Sequence, residues 1–369
     1  MSDVSRCPSE PLGCLAEPVH SMVSALENGT CWTDDCGRAV QAHGGWVLPV
    51  VDGLSGTCFY WYGEDKSAPT RGQRADAIGI CCYASTDLLN WHDCGLVFKA
   101  DNRAAHDVLR PEGVMERPRV LYCEQTDKYI LWFHADDAAY RAAMLGVAVS
   151  DAPTGPFTFV RLVRPSGQDS RDFTLYVDDR DHAYLFSSSE GNRTLHIARL
   201  ADDYADVKEG YVRALPEQMR EAPCVFAAHG QYYLLTSGCS GWRANAALFA
   251  TAPQVAGPWK LLDNPCRGPH EHASFGGQPT CVFGTRGRLF ALFDHWHAND
   301  LGASGYSILP VSFAPVKHDP LEIHWTDTFC GLDEETGREP APPAVIERLF
   351  ERNHRVSTDY YRCCRCRCP

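Results

Sequence analysis

The sequence predicts an all-β protein, a five-bladed β-propeller over residues 28–330, and a doubly repeated pattern predicts it. Aromatic-rich runs recur five times: CFYWYGE (58–64), YILWFHAD (129–136), AYLFSSSE (183–190), YYLLTSG (232–238) and LFALFDHW (289–296). Each is followed by a second apolar run: IGICCYAST, MLGVAVSDA, TLHIARLAD, AALFATAP and YSILPVSF. Several units then close on a turn and an aromatic, as in DLLNW, PTGPF and VAGPW. Such runs bounded by turn residues are strand signals, and good amphipathic helical segments are nearly absent. Self-similarity at roughly 50–70 residues means radial or linear repetition, and blades of about four strands around an axis fit that period.

Each blade carries a polar residue just upstream of its aromatic run. Blade one has QAHGG (41–45), blade two ERP (116–118), blade three RDFT (171–174), blade four EAP (221–223) and blade five GGQPT (276–280). The innermost strand of every blade lines the axis, so equivalent positions converge on one central pit. His43, Glu116, Asp172, Glu221 and Gln278 are therefore expected to meet there. The Glu-x-Pro written twice, in MERPRV and MREAPCV, is then one slot repeated. One polar residue at a strand start would simply bind neighbouring amides. Five at matched positions, three of them carboxylates, read as a site. Converging carboxylates shift each other's pKa values. That suits general acid–base chemistry, most naturally hydrolysis of a glycosidic bond.

Composition bounds the partners. The 369 residues are 44% hydrophobic, 11% aromatic and 22% charged, which supports a sizeable core. A net charge of −13 argues against nucleic acid, whose phosphates need a basic face. It fits a neutral partner, here a polysaccharide or oligosaccharide. No apolar run is long enough for a membrane span. The start, MSDVSRCPSEPLGCLAEP, lacks the basic and apolar parts of a secretory signal. Among the 18 cysteines, Cys81, Cys82, Cys224 and Cys281 sit in strand-like runs as small buried hydrophobes. Cys7, Cys14, Cys31 and Cys36 could pair in a secreted chain. No metal, no cofactor and a monomer are expected.

Trp61, Tyr62, Trp132, Tyr140, Trp242 and Trp296 could stack on sugar faces, though aromatics in blades are mostly core. Tyr140 and Trp242, in loop-like DDAAYRAAM and CSGWRAN, are the expected contacts. Glu64, Asn192 and Asn245, polar residues at strand ends, could bond sugar hydroxyls. The paired histidines of PHEHASF and DHWHAND read as solvated loops. NGT (28–30) and NRT (192–194) are glycosylation sequons, the second in the expected pit. Residues 1–27 read as an extension. Residues 331–369 read as a tail with one short helical stretch, AVIERLFERN, and a Cys-rich end, CCRCRCP, where metal binding, disulfides and lipidation stay open beside plain disorder.

At the pit residues the chain resembles glycoside hydrolase family 43, within it the exo-β-1,3-galactanase group. The likeness rests on QAHGG, FYWYGEDK, STDLLNW, ERPRV, VAVSDAPTGPF, SRDFTLYVDD, NRTLHIARL, REAP, SGWRANAA and SFGGQPT, spread from Trp32 to Phe313. The resemblance implies an inverting, exo-acting hydrolase that releases galactose from β-1,3-galactan, and it suggests an extracellular setting. It implies Glu221 as general acid, Asp172 as the carboxylate that tunes and orients it, and Glu116 as a sugar contact. Most of the family places an aspartate base on the first blade, where this chain has His43-Gly44-Gly45. The galactanase group shares that gap and is thought to use a glutamine, matching Gln278. A neutral amide is a poor base, so Gln278 would act as its imidic tautomer or position the water. His43, with a reference pKa near 6.5, stays open as the alternative. An arabinofuranosidase or xylosidase of the same family and an inactive sugar-binding propeller are the competing readings.

Overall fold

The computed structural model describes residues 22–52, 56–314 and 320–332. Cys7, Cys14, AVIERLFERN and CCRCRCP lie outside them. Four antiparallel strands form each of the first four blades. Blade one is His43–Asp52, Gly56–Glu64, Gly79–Ser85 and His92–Lys99, and blade two is Val114–Cys123, Lys128–Asp136, Met144–Ser150 and Thr158–Val163. Blade three is Phe173–Val177, Ala183–Ser189, Thr194–Arg199 and Val212–Ala214, and blade four is Arg220–Ala228, Gln231–Gly238, Leu248–Ala252 and Lys260–Leu261. Blade five adds a parallel fifth strand, Cys266–Arg267, outside Leu321–His324, Gly305–Phe313, Arg288–His295 and innermost Gln278–Thr285. The innermost strands touch in a closed ring, one to two to three to four to five to one. This is the expected five-bladed β-propeller.

The aromatic runs are second strands, and their apolar side chains fill the seams between blades. Trp61, Tyr62, Trp132, Phe133 and Tyr233 are fully buried there. Burying one such side chain contributes about 1.5–3 kcal/mol, so the seams carry most of the apolar stabilisation. Cys81, Cys82, Cys224 and Cys281 pack among them as free thiols, and Cys31 and Cys36 are free and exposed.

The ring is closed by the chain's own beginning. Leu26–Glu27 pairs with Thr328–Phe329. Asn28 Oδ1 accepts from Ile308 N at 3.0 Å, and its Nδ2 donates to Thr326 O at 3.0 Å. Asn28 is buried, so the NGT sequon is spent on closure.

The repeated Glu-x-Pro has a backbone cause. Register runs Glu116 to His134 and then skips to Arg119 and Trp132. It runs Glu221 to Ser237 and skips to Cys224 and Leu235, and His43 to Glu64 and skips to Trp46 and Tyr62. Each skip is a bulge. The residue after the polar one is left-handed: Gly44 at φ +59°, Arg117 at +53°, Ala222 at +50°. For the two non-glycine residues that costs about 1–2 kcal/mol each. Pro118 and Pro223 come next, where the interrupted ladder asks for no N–H. The freed bulge amides are captured by carboxylates of the preceding blade. Gly44 N donates to Asp294 Oδ2 at 2.9 Å, Arg117 N to Glu64 Oε1 at 3.0 Å, and Ala222 N to Asp172 Oδ2 at 3.0 Å. In blades two and four, bulge and carboxylate accompany a glutamate, Glu116 or Glu221, that lines the cavity.

Candidate active site

Beneath the pit floor lies Arg119, fully buried. It donates to Gly44 O (2.9 Å), Pro118 O (2.8 Å) and Thr280 O (2.8 Å), binding blades one, two and five at the axis. Above it Arg117 turns into the pit, and its Nη2 reaches Gln278 Oε1 at 2.6 Å and Asp172 Oδ2 at 3.1 Å. The cavity above holds about 610 Å³.

Its polar walls fall into two groups. On one side Glu221, Asp172 and Gln278 meet. Gln278 Nε2 donates to Glu221 Oε1 at 3.2 Å and Ser237 Oγ at 2.9 Å. Its Oε1 accepts from Arg117 and, at 2.9 Å, from Trp296 Nε1. Arginine and tryptophan only donate, so the amide has one possible orientation. Burial, then the nearby Asp172 charge, raises the Glu221 carboxyl to about 7, against the pull of Arg117. Such a group is half protonated at neutral pH, as a proton donor should be. Cys239, a cavity-lining thiol, bonds the same carboxyl, and burial followed by the Glu221 charge pushes it up to about 12.

On the other side Glu116 stands in a cationic cradle. Its Oε1 accepts from Lys66 Nζ at 3.1 Å and Tyr140 Oη at 2.9 Å, and Oε2 lies 3.7 Å from His134 Nδ1. Burial pushes the Glu116 carboxyl up, but Lys66, His134 and Tyr140 outweigh it and hold it well below the usual range. His134 Nε2 lies 2.9 Å from Asp136 Oδ2. Burial lowers His134, yet Asp136 and Glu116 raise it to about 9. Glu64 joins the cradle, with Oε2 at 2.8 Å from Lys66 Nζ, and burial pushes its carboxyl up. Glu64 also fills the space over Gly44: a Cβ there would lie 2.1 Å from Glu64 Oε1. A side chain at position 44 would have to displace the Glu64 carboxylate.

Eight of the ten expected residues line this cavity: Glu64, Glu116, Tyr140, Asp172, Asn192, Glu221, Trp242 and Gln278. Two do not. His43 has no exposed surface and stacks on Tyr306, ring centroids 4.9 Å apart, with Nε2 3.1 Å from Tyr306 Oη. Its ring packs against Tyr306 and Trp296 of blade five. Asn245 braces its own loop, exchanging two 2.7 Å bonds with Gly238. The inverting reading also carries a distance that the structure does not show. An inverting pair stands roughly 6.5–9.5 Å apart, with water between. Gln278 and Glu221 are in contact instead, because blades four and five are neighbours.

Sequence reasoning missed Lys66, Arg117, His134 and Cys239, and it named Trp296 only among six aromatics that could stack on sugar. Arg117 and Arg119 had a signal in ERPRV, where charges interrupt an apolar innermost strand. His134 had one in its register opposite Glu116.

Residues 49–308 match the model of glycosyl hydrolases family 43, and the chain belongs to that family. It is 34% identical to a family 43 β-1,3-galactosidase solved with galactodeoxynojirimycin, over 82% of this chain and 99% of that one, at a TM-score of 0.76. It is 30% identical to an exo-β-1,3-galactanase from Phanerochaete chrysosporium solved with β-1,3-galactotriose, over 87% and 71%, at 0.75. An exo-β-1,3-galactanase from Clostridium thermocellum is 30% identical, over 83% and 66%, at 0.73. No curated protein matches the chain. The protein is thus a glycoside hydrolase, and its substrate is a carbohydrate.

Proposed function

We propose that this glycosidase is an inverting exo-β-1,3-galactanase, releasing galactose from the end of β-1,3-galactan. The observation that carries the acid assignment is the Glu221 carboxyl, raised to about 7 beside Asp172. Glu221 gives its proton to the leaving oxygen. Asp172 keeps that proton on Glu221 by its charge and anchors the next residue, Ala222, through the bulge amide. Gln278 lies against the acid. Its Oε1 is held by Arg117 and Trp296 and its two N–H groups by Glu221 and Ser237, so the N–H on Glu221 must pass from the acid to reach substrate or water. As an amide it holds the water by donating to it and takes no proton. Glu116, kept anionic by Lys66 and His134, accepts from sugar hydroxyls, as does Glu64.

The linkage and sugar rest on the likeness to β-1,3-galactosidases and exo-β-1,3-galactanases at 30–34% identity. The glycine at position 44 supports it against an arabinofuranosidase or xylosidase, because those relatives keep an aspartate on that blade. The test is hydrolysis of β-1,3-galactan and of an aryl arabinofuranoside side by side. Galactose from the first and little from the second is expected. Faster cleavage of the arabinofuranoside would move the protein to the other branch of the family.

A further inference from the structure

Much of the cavity rim comes from the loops joining the second and third strands of the blades, with Gly113 and Arg171 added from the segments before blades two and three, and these loops are unequal. Blade one contributes residues 65–78, blade four 239–247 and blade five 296–304, whereas blade three contributes only 190–193. The long loops also reach across to one another. Trp242, from blade four, donates its indole N–H to Gln73 O of blade one at 2.8 Å. Its ring meets the edge of Trp296 at a centroid distance of 4.8 Å, and Lys66 Nζ lies 5.8 Å from its centre. Thr70 Oγ1 of blade one accepts from Leu301 N of blade five at 2.8 Å. From the blade-one loop Asp65, Lys66, Gln73 and Arg74 all face the cavity, while from the blade-three loop only Asn192 does. The Asn192 Oδ1 is buried and has no hydrogen-bond partner.

We propose that Trp242, clasping Gln73, makes the blind wall that limits this enzyme to chain ends, and that the rest of the substrate leaves over the low rim of blade three past Asn192. The inference rests on the β-1,3-galactan reading. In a β-1,3 chain the preceding sugar hangs on O3 of the residue being released. A chain-end enzyme must close the space beside that O3. The leaving side must adjoin the acid, and Glu221 of blade four and Asp172 of blade three stand beside the low rim. The clasp lies toward blades five and one, away from it.

The test compares β-1,3-galactotriose with the same trisaccharide methylated on O3 of its terminal non-reducing galactose. The wild-type enzyme should cleave the capped sugar at least about 100-fold more slowly. Trp242→Ala should raise the capped-to-free rate ratio by about tenfold or more, because steric exclusion of a small group is worth roughly that factor. An unchanged ratio in a folded Trp242→Ala enzyme that still cleaves the free sugar would overturn the proposal. Trp242→Phe, which keeps an aromatic ring but loses the indole N–H and the five-membered half of the indole, should speed amide hydrogen exchange across residues 66–76. Unchanged exchange also overturns the clasp. Should the wild-type enzyme cleave neither trisaccharide, the galactan reading fails by itself, and the exchange result still decides whether the wall is pinned.

Discussion

At the scale of single residues, one carboxyl is predicted to govern the pH response. Glu221, raised to about 7, donates a proton only while it holds one, so kcat should fall as pH rises through about 7. The same shift has a stability sign. Its folded pKa lies above the ordinary value of 4.5, so ionisation is penalised in the native state. The penalty is absent below about 4.5, grows as pH rises, and is complete above about 7. Allowing for partial exposure, it amounts to about 2 kcal/mol. Glu221→Gln should therefore raise the Tm at pH 8 and have little effect near pH 4.5, as calorimetry at both values would show. It should also lose about 10²–10⁴ in rate on galactan, and less on an aryl glycoside whose leaving group needs little protonation. Equal losses on both substrates would make Glu221 a binding residue.

Gln278 and His43 separate cleanly at this scale. Gln278→Ala removes the partner of Arg117, Trp296, Ser237 and Glu221 at once, and most activity should go with it. Azide or formate should restore some turnover by entering the vacated space. His43, sealed against Tyr306, should be milder when changed to Phe, which keeps the stack. A His43→Phe enzyme as damaged as Gln278→Ala would return the water-activating role to the histidine.

At the scale of the strand, the bulge organises the site. Glu-x-Pro was legible as a repeated slot because proline and glutamate are both unusual in an innermost strand. The left-handed residue between them was not legible, since neither Arg117 nor Ala222 signals a positive φ. The bulge alone does not decide direction: His43, Glu116 and Glu221 all precede one, but the His43 ring stacks on Tyr306 while Glu116 and Glu221 line the cavity. Lys66 and His134 were hidden for a different reason. They belong to second strands and their loops, whose pattern reads as seam packing. Arg119 is predicted to be structural. It satisfies backbone carbonyls of three blades under the pit, so Arg119→Met leaves them buried and unpaired. The expected loss is about 3 kcal/mol or more in urea unfolding. A loss below about 1 kcal/mol would mean that water replaces the guanidinium.

At the scale of the whole molecule, five similar blades give an unequal cup. The repeat period shows neither the closure nor the rim. Closure depends on Asn28, whose sequon pattern points to the surface, yet whose side chain zips residues 308 and 326 together. The rim depends on loop lengths that periodicity ignores. What the repeat did reveal was the axis, and with it the convergence of Glu116, Asp172, Glu221 and Gln278. The most direct measurement of the proposed chemistry is a proton NMR time course of β-1,3-galactotriose with the wild-type enzyme. Inversion at the chain end predicts that the first galactose is the α-anomer and appears together with the disaccharide, before mutarotation brings in the β-anomer. First-formed β-galactose, or products other than galactose and the shortened chain, would contradict it.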